Sequence, residues 1–226
     1  MKATRITENL VQLDRLHFVN AYLVREPDGF TLVDTTLPRS AGALIAAARE
    51  RGGAIKRIVL THGHGDHVGS LDALREQLGT DVPVLMGELD ARIHAGERVV
   101  EGKLRGSWPK LITRPDTLLH GGELIGSLEV IATPGHSPGH VAFLDTRDNT
   151  LIAGDTFTSY WRVEVPNRLL QGFPLAAMAT QDSDLLLGSA RALRARDPAI
   201  LAVGHGPAAH APAAAMEAAI ARAAGR

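Results

Sequence analysis

The 226-residue sequence predicts an α/β layered fold. Short apolar segments bounded by turn residues alternate along the chain with segments of helical periodicity. Hydrophobic residues make up 45% of the sequence, which is ordinary for a protein with a sizeable core. No G-x-G-x-x-G follows the first strand, so a dinucleotide site is not expected. Because no low-complexity linker interrupts the chain, residues 1–226 are expected to form one domain.

The first half of the chain begins with three short strands, predicted at 10–14, 18–26 and 30–35. A helix over 39–53 follows, with Leu44 and Ile45 on its apolar face and two glycines at its end. The patterns then predict a strand at 55–61, a helix at 68–79, a strand at 82–86 and a short helix at 87–96.

Residues 96–115 interrupt this order, because Gly, Lys, Arg and Trp follow no clear period there. Unstructured loops of that length are often functional. Beyond them the patterns predict strands at 127–135, 139–145 and 149–155, a long helix at 174–197, a last strand at 199–206 and a helix in the Ala-rich tail.

Charge and cysteine content exclude several kinds of partner and chemistry. The formal net charge is −1, so there is no global basic field for nucleic acid or a membrane surface. The absence of cysteine excludes disulfides, thiolate ligands and cysteine nucleophiles. Polar residues interrupt the N-terminal segment and no run is long enough to span a bilayer. A cytoplasmic protein that acts on a small molecule is therefore expected.

The segment Thr-His-Gly-His-Gly-Asp-His, at 61–67, carries four side chains that can bind a metal. In an extended segment residues two apart share a side, so His62, His64 and Asp66 can face one centre. His67 lies at the start of the next predicted helix and can turn towards a second centre.

Three further candidate ligands each follow a later predicted strand: His136, Asp155 and His205. Strand ends are rigid platforms from which loops can direct side chains to a common point. Seven nitrogen and oxygen ligands exceed what one tetrahedral zinc needs. Two divalent metals that share Asp155 as a bridging carboxylate would use them all.

With these motifs the chain resembles the metallo-beta-lactamase superfamily of metallo-hydrolases, from the first strands through Val-Gly-His-Gly-Pro at 203–207. The resemblance implies a four-layer αββα sandwich with the site at one edge of its two sheets. It also implies the division of the ligands, with His62, His64 and His136 on one metal, Asp66, His67 and His205 on the other, and Asp155 between them. Zinc is the expected metal by frequency in the family, while iron and manganese accept the same ligands.

The implied reaction is the cleavage of an ester, thioester or lactone-type bond by a hydroxide that bridges the two metals. Asp66 would orient this nucleophile and transfer its proton to the leaving group. Lactonases of the family place a tyrosine shortly after the bridging aspartate, whereas here Thr158 lies three residues on and Tyr160 five. The match to that class is therefore imperfect.

Several residues near the motifs have both a functional and a structural interpretation. Asp34 can orient the ligands through hydrogen bonds or can simply cap a turn. His140 lies four residues after His136 and either could be the ligand; the resemblance implies His136, which leaves His140 a supporting or structural role. The aromatic residues Phe157, Tyr160 and Trp161 follow the bridging aspartate and can line a substrate pocket, although core packing explains them as well.

Two other functions stay open at this point. A persulfide dioxygenase of the same fold would use one iron held by His62, His136 and Asp155, a 2-His-1-carboxylate set. A non-catalytic metal-binding protein would show a lost ligand or a blocked pocket. The resemblance also leaves a homodimer open, since similar proteins commonly dimerise.

Overall fold

The computed structural model describes residues 1–168 and 173–225. The strands in these ranges are β1 (Lys2–Arg5), β2 (Leu10–Arg15), β3 (Val19–Glu26), β4 (Gly29–Val33), β5 (Ile55–Val59), β6 (Val84–Gly87), β7 (Thr117–Leu119), β8 (Leu124–Ile125), β9 (Leu128–Ala132), β10 (Val141–Asp145), β11 (Thr150–Ile152), β12 (Ile200–Ala202) and β13 (Ala209–His210). The helices are α1 (Ala41–Arg49), α2 (Gly65–Val68), α3 (Leu71–Leu78), α4 (Glu88–His94), α5 (Pro174–Ala179), α6 (Ser183–Ala195) and α7 (Ala213–Ala223).

The strands form two mixed sheets. The first has the order β1-β2-β3-β4-β5-β6-β7, antiparallel from β1 to β4 and parallel from β4 to β7. The second has the order β13-β12-β11-β10-β9-β8, in which β11 and β12 are the parallel pair. Parallel neighbours need a crossover connection, which explains why helices alternate with strands in these parts of the sequence.

Three hydrophobic cores separate four layers, which confirms the αββα sandwich. One core packs α1 and α3 on the first sheet, and another packs α6 and α7 on the second. The third lies between the sheets and includes Tyr22, Val59 and Phe143. Strand β3 contributes to two of these cores, because successive side chains of a strand point to opposite faces of the sheet. Ala21 and Leu23 enter the first core, while residues on the other face enter the middle one.

The prediction of one long helix over 174–197 is wrong, because the structure has two helices there, α5 and α6. Thr180 has extended backbone between them, with φ −65° and ψ 121°. The carboxylate of Asp182 then accepts hydrogen bonds from the amides of Asp184 and Leu185 and caps α6. The amide of Gln181 donates to the carbonyl oxygen of His136, which ties this break to a predicted ligand loop.

Four strands escaped the sequence analysis. β1 is exposed along its whole length and shows no alternation, while β7, β8 and β13 have only two or three residues each. Residues 96–115 contain neither helix nor strand, as predicted. None of the described helices is long and apolar enough to cross a membrane.

Candidate metal centre

The seven predicted ligands converge at one point, although they follow four different strands, β5, β9, β11 and β12. Their ligand atoms form three overlapping groups in which all atoms lie within 4.8 Å of one another. These groups are His62, His64 and His136; His62, His67 and Asp155; and Asp66, His67 and His205.

Asp155 lies between the outer two groups and contacts both. Its Oδ2 atom is 3.3 Å from Nε2 of His136 and 3.1 Å from Nε2 of His205, and its Oδ1 atom is 3.5 Å from Nε2 of His67. Asp66 completes the third group, with Oδ2 at 3.4 Å from Nε2 of His205. One carboxylate is therefore in reach of histidines from both sides, which is the position of a bridging ligand.

Unpartnered polar atoms show that this donor set fits metal ions. Nε2 of His62, Nε2 of His64 and Oδ1 of Asp155 are buried and have no hydrogen-bond partner. Buried polar atoms without a partner are costly and rare. Imidazole nitrogens and carboxylate oxygens are also ligands that divalent transition metals accept.

Burial and charge set the protonation of the cluster. Burial lowers the pKa of His62 and His136 well below the ordinary value, so both rings are neutral, as ligands must be. Burial acts in the same direction on His67, but the carboxylates of Asp155 and Asp34 outweigh it and raise the pKa of His67 to about 10. The same two carboxylates would also favour a metal cation beside His67.

Asp34 supports two of the candidate ligands at once. Its Oδ2 atom is 2.9 Å from Nδ1 of His67 and accepts a hydrogen bond from the hydroxyl of Thr61. The same hydroxyl lies 3.0 Å from Nδ1 of His62. Such contacts on the second ring nitrogen fix the ring and its tautomer.

The remaining histidine contacts come from distant parts of the chain. Nδ1 of His136 is 3.1 Å from the hydroxyl of Thr180, in the break between α5 and α6. Nδ1 of His205 is 2.6 Å from the carbonyl oxygen of Phe18. His140 belongs to none of the three ligand groups; its Nε2 accepts a hydrogen bond from the amide of Asp155 and so holds the backbone of that residue.

Asp90 is a buried carboxylate of the site that sequence reasoning missed. Its Oδ2 atom accepts from the amide of Gly63 and the hydroxyl of Ser137, and its Oδ1 atom accepts from the amide of Gly139. One side chain of α4 thus joins the loop of His62 to the loop that contains His136. Burial raises the pKa of Asp90 to about 6, although these three donors act in the opposite direction.

We expect Asp90→Asn to lower the free energy of unfolding by about 1–3 kcal/mol, because one buried N–H would then face the amide NH2 of asparagine. Metal affinity should fall as the two loops separate. Chemical denaturation and metal titration would measure both effects. Ser137→Ala removes only one of the three partners and should have a smaller effect; equal effects would show that Asp90 does not join the loops in this way.

A cavity of about 640 Å3 opens onto the cluster. Its floor includes His64, Asp66, His136, Asp155 and His205, and its walls include Phe18, Leu37, Pro38, Phe173, Leu175 and Met178. Both the open cavity and the complete ligand set differ from what a non-catalytic metal-binding protein would show.

The three predicted pocket aromatics occupy different positions. Phe157 does not line the cavity, because its ring is completely buried in the core under α6 and α7. Tyr160 packs on Phe173, with ring centroids 4.8 Å apart, and its hydroxyl donates to the carbonyl oxygen of Phe18. Trp161 is 84% exposed and lies on the outer side of the same aromatic wall.

The irregular segment 96–115 forms part of the site. The carbonyl oxygen of Ser107 accepts from the amide of Gly65, and Trp108 packs edge-on against His64 at 5.0 Å between ring centroids. The ring of His94, at the end of α4, lies between this segment and the first ligand loop: its Nδ1 is 3.1 Å from the carbonyl oxygen of Pro109 and its Nε2 is 2.9 Å from that of Gly63. This segment is therefore held against the first ligand loop.

Comparison with known proteins agrees with the αββα fold described above. Residues 14–205 match the model of the metallo-beta-lactamase superfamily. The uncharacterized protein YobT of Bacillus subtilis (strain 168) is 43% identical over 83% of this chain and 83% of its own length. A hydroxyacylglutathione hydrolase of Rhodopseudomonas palustris (strain BisB5) is 28% identical over 61% of this chain, but only 48% of its own length is covered.

A solved structure adds information on metals. TTHA1623, whose crystal structure is in a di-iron-bound form, superposes with a TM-score of 0.65 and 31% identity over 90% of this chain and 95% of its own.

Proposed function

Because this chain belongs to the metallo-beta-lactamase superfamily, we propose that it is a dinuclear-metal hydrolase that cleaves an ester, thioester or lactone-type bond in a small molecule. The observation that carries this proposal is the set of three overlapping ligand groups, with Asp155 between the outer two. The hydroxyacylglutathione hydrolase relative supports acyl transfer to water as the reaction class.

The histidine and carboxylate donors favour zinc as the metal. The di-iron form of TTHA1623 supports iron as the alternative. When bound, two such ions would lower the pKa of a water molecule and polarise the electrophile. The chain's own part is to hold the ligands in place, which the contacts of Asp34, Thr180 and Asp90 do.

Asp66 is the residue that we assign to proton transfer. Its side chain is 25% exposed, whereas that of Asp155 is 3% exposed, and it lines the cavity. The carboxylate of Asp66 can therefore contact a substrate in the cavity while it also contacts His205. The hydroxyl of Tyr160 is engaged with the carbonyl oxygen of Phe18, so it is not free to protonate a leaving group. We therefore assign the proton transfer to Asp66 rather than to Tyr160.

The first test is metal content by inductively coupled plasma mass spectrometry, on protein purified without added metal. We expect about two ions per chain, as seven ligands require. Hydrolysis of an ester, thioester and lactone panel should be lost after chelation and return on reconstitution. About one iron per chain, with oxygen consumption on a glutathione persulfide, would instead identify the dioxygenase. Full metal loading without turnover would overturn the hydrolase.

A further inference from the structure

The cavity above the ligand cluster has an apolar wall that metal binding does not require. Phe18 and Phe173 pack edge to face, with ring centroids 5.6 Å apart, and both rings contact the ring of His205. Leu175 and Met178, from α5, extend this wall away from the cluster. Aromatic and aliphatic side chains beside a few polar groups are typical of a small-molecule site.

Cations are absent from this wall among the described residues that line it. Arg105 is not one of the residues that line the cavity, and its guanidinium donates to the carbonyl oxygen of Thr180. A substrate carboxylate placed here would lose its hydration and find no partner, which is costly.

Two apolar residues at the mouth of the cavity remain accessible. Leu175 is 52% exposed and Met178 is 60% exposed, although both lie on a helix that packs other residues against the protein. An apolar patch at a cavity mouth is a common feature of ligand-binding surfaces. Its position continues the wall formed by Phe18 and Phe173, so an extended ligand can contact both parts.

We propose that the site accepts a neutral substrate with an extended apolar acyl group, and that Phe173, Leu175 and Met178 determine this specificity. The inference rests on the proposed hydrolase function and names its substrate class. The scissile carbonyl would lie over the ligand cluster, and the acyl chain would lie along the wall. Each methylene that this wall buries should raise kcat/KM about fourfold, up to the length at which the wall is covered.

The test compares p-nitrophenyl acetate, butyrate and hexanoate with the p-nitrophenyl monoester of adipic acid, on metal-loaded protein. Hexanoyl and adipoyl chains have the same length, but the second ends in a carboxylate. We expect kcat/KM to rise from acetate to hexanoate and to be at least about tenfold lower for the adipate, because its charge would be desolvated without a partner.

Met178→Lys should then lower the hexanoate-to-adipate ratio at least about tenfold, because the new ammonium would pair with the carboxylate. The ratio is measured on one enzyme preparation, so partial unfolding cancels. Leu185→Lys is the matched control: Leu185 is 53% exposed on α6 and lies outside the cavity lining, so its ratio should not change.

The outcomes separate the two proposals. Turnover of the acetate with no preference for hexanoate over adipate would overturn the inference and leave the hydrolase in place. An equal change of the ratio in both lysine variants would also overturn it. Absence of turnover for these four esters and for the ester, thioester and lactone panel, with two metals bound, would overturn the hydrolase and the inference together.

Discussion

Asp155→Asn is expected to lower kcat/KM by about 10³-fold or more and to remove at least one metal ion per chain. Loss of a residue that hydrogen-bonds to a metal ligand typically lowers metal affinity or activity about 10–100-fold. Asp155 contacts histidines of both outer groups directly, so its loss should cost more. Asparagine keeps the size of the side chain but not its charge. Metal content and kcat/KM, measured on the same preparation, would test this.

Asp145→Asn is the matched control, because Asp145 is also a buried aspartate of the second sheet, at the end of strand β10. Both residues are buried, but Asp145 pairs with Arg147 rather than with the cluster. This variant should lose stability and keep its metals. Full metal content in the Asp155 variant would contradict the assignment of that residue as a bridging ligand.

Gly106→Ala is expected to lower metal affinity and kcat/KM by about 10²-fold, because a methyl group here would meet a ligand ring. The Cβ atom would lie 2.2 Å from Nε2 of His64, closer than non-bonded atoms approach. His64 is 3% exposed and packs against Trp108, so its ring has little room to move. A misplacement of a catalytic group by about 1 Å commonly costs a factor of this size.

The control for this substitution is Gly102→Ala in the same irregular segment. Both glycines have φ of +81°, so alanine meets the same backbone strain at each, but no atom lies within 4 Å of a Cβ at Gly102. Metal titration and kinetics of the two variants therefore isolate the contact with His64. Equal behaviour would mean that the segment moves away and does not constrain the ligand.

Most of the strands, and the convergence of the ligands, could be predicted because both correspond to recognisable patterns in the sequence. Strand β3 reads as an apolar run, since both of its faces are buried, and His136, Asp155 and His205 each follow such a segment. Spacing of two residues brought His62 and His64 into one group as predicted, but it did not bring Asp66 there. Helix α2 begins at Gly65, which ends the extended backbone, and Asp66 groups with His67 and His205 instead.

Asp90 left no such mark. It lies in the first turn of a short helix, where an acidic residue is ordinary, yet it is completely buried while its neighbour Leu89 is partly exposed. Its partners belong to loops far away in sequence, so only the tertiary structure shows them. The break before α6 is different, because Asp182 followed by Ser183 and Asp184 is a helix-start pattern that could have been recognised.

The loop of His205 is hydrogen-bonded to strand β3, which lies far from it in the sequence, and this affects the order in which the protein folds. Asn20 and Tyr22 both donate hydrogen bonds to the carbonyl oxygen of Val203, across 183 and 181 residues of sequence. Contacts between such distant residues form slowly, because a long loop must close first. During synthesis the N-terminal part emerges first and has to wait for its partner. The last ligand can therefore be placed only after synthesis has passed His205, and a nascent chain carries an incomplete set of donors until then.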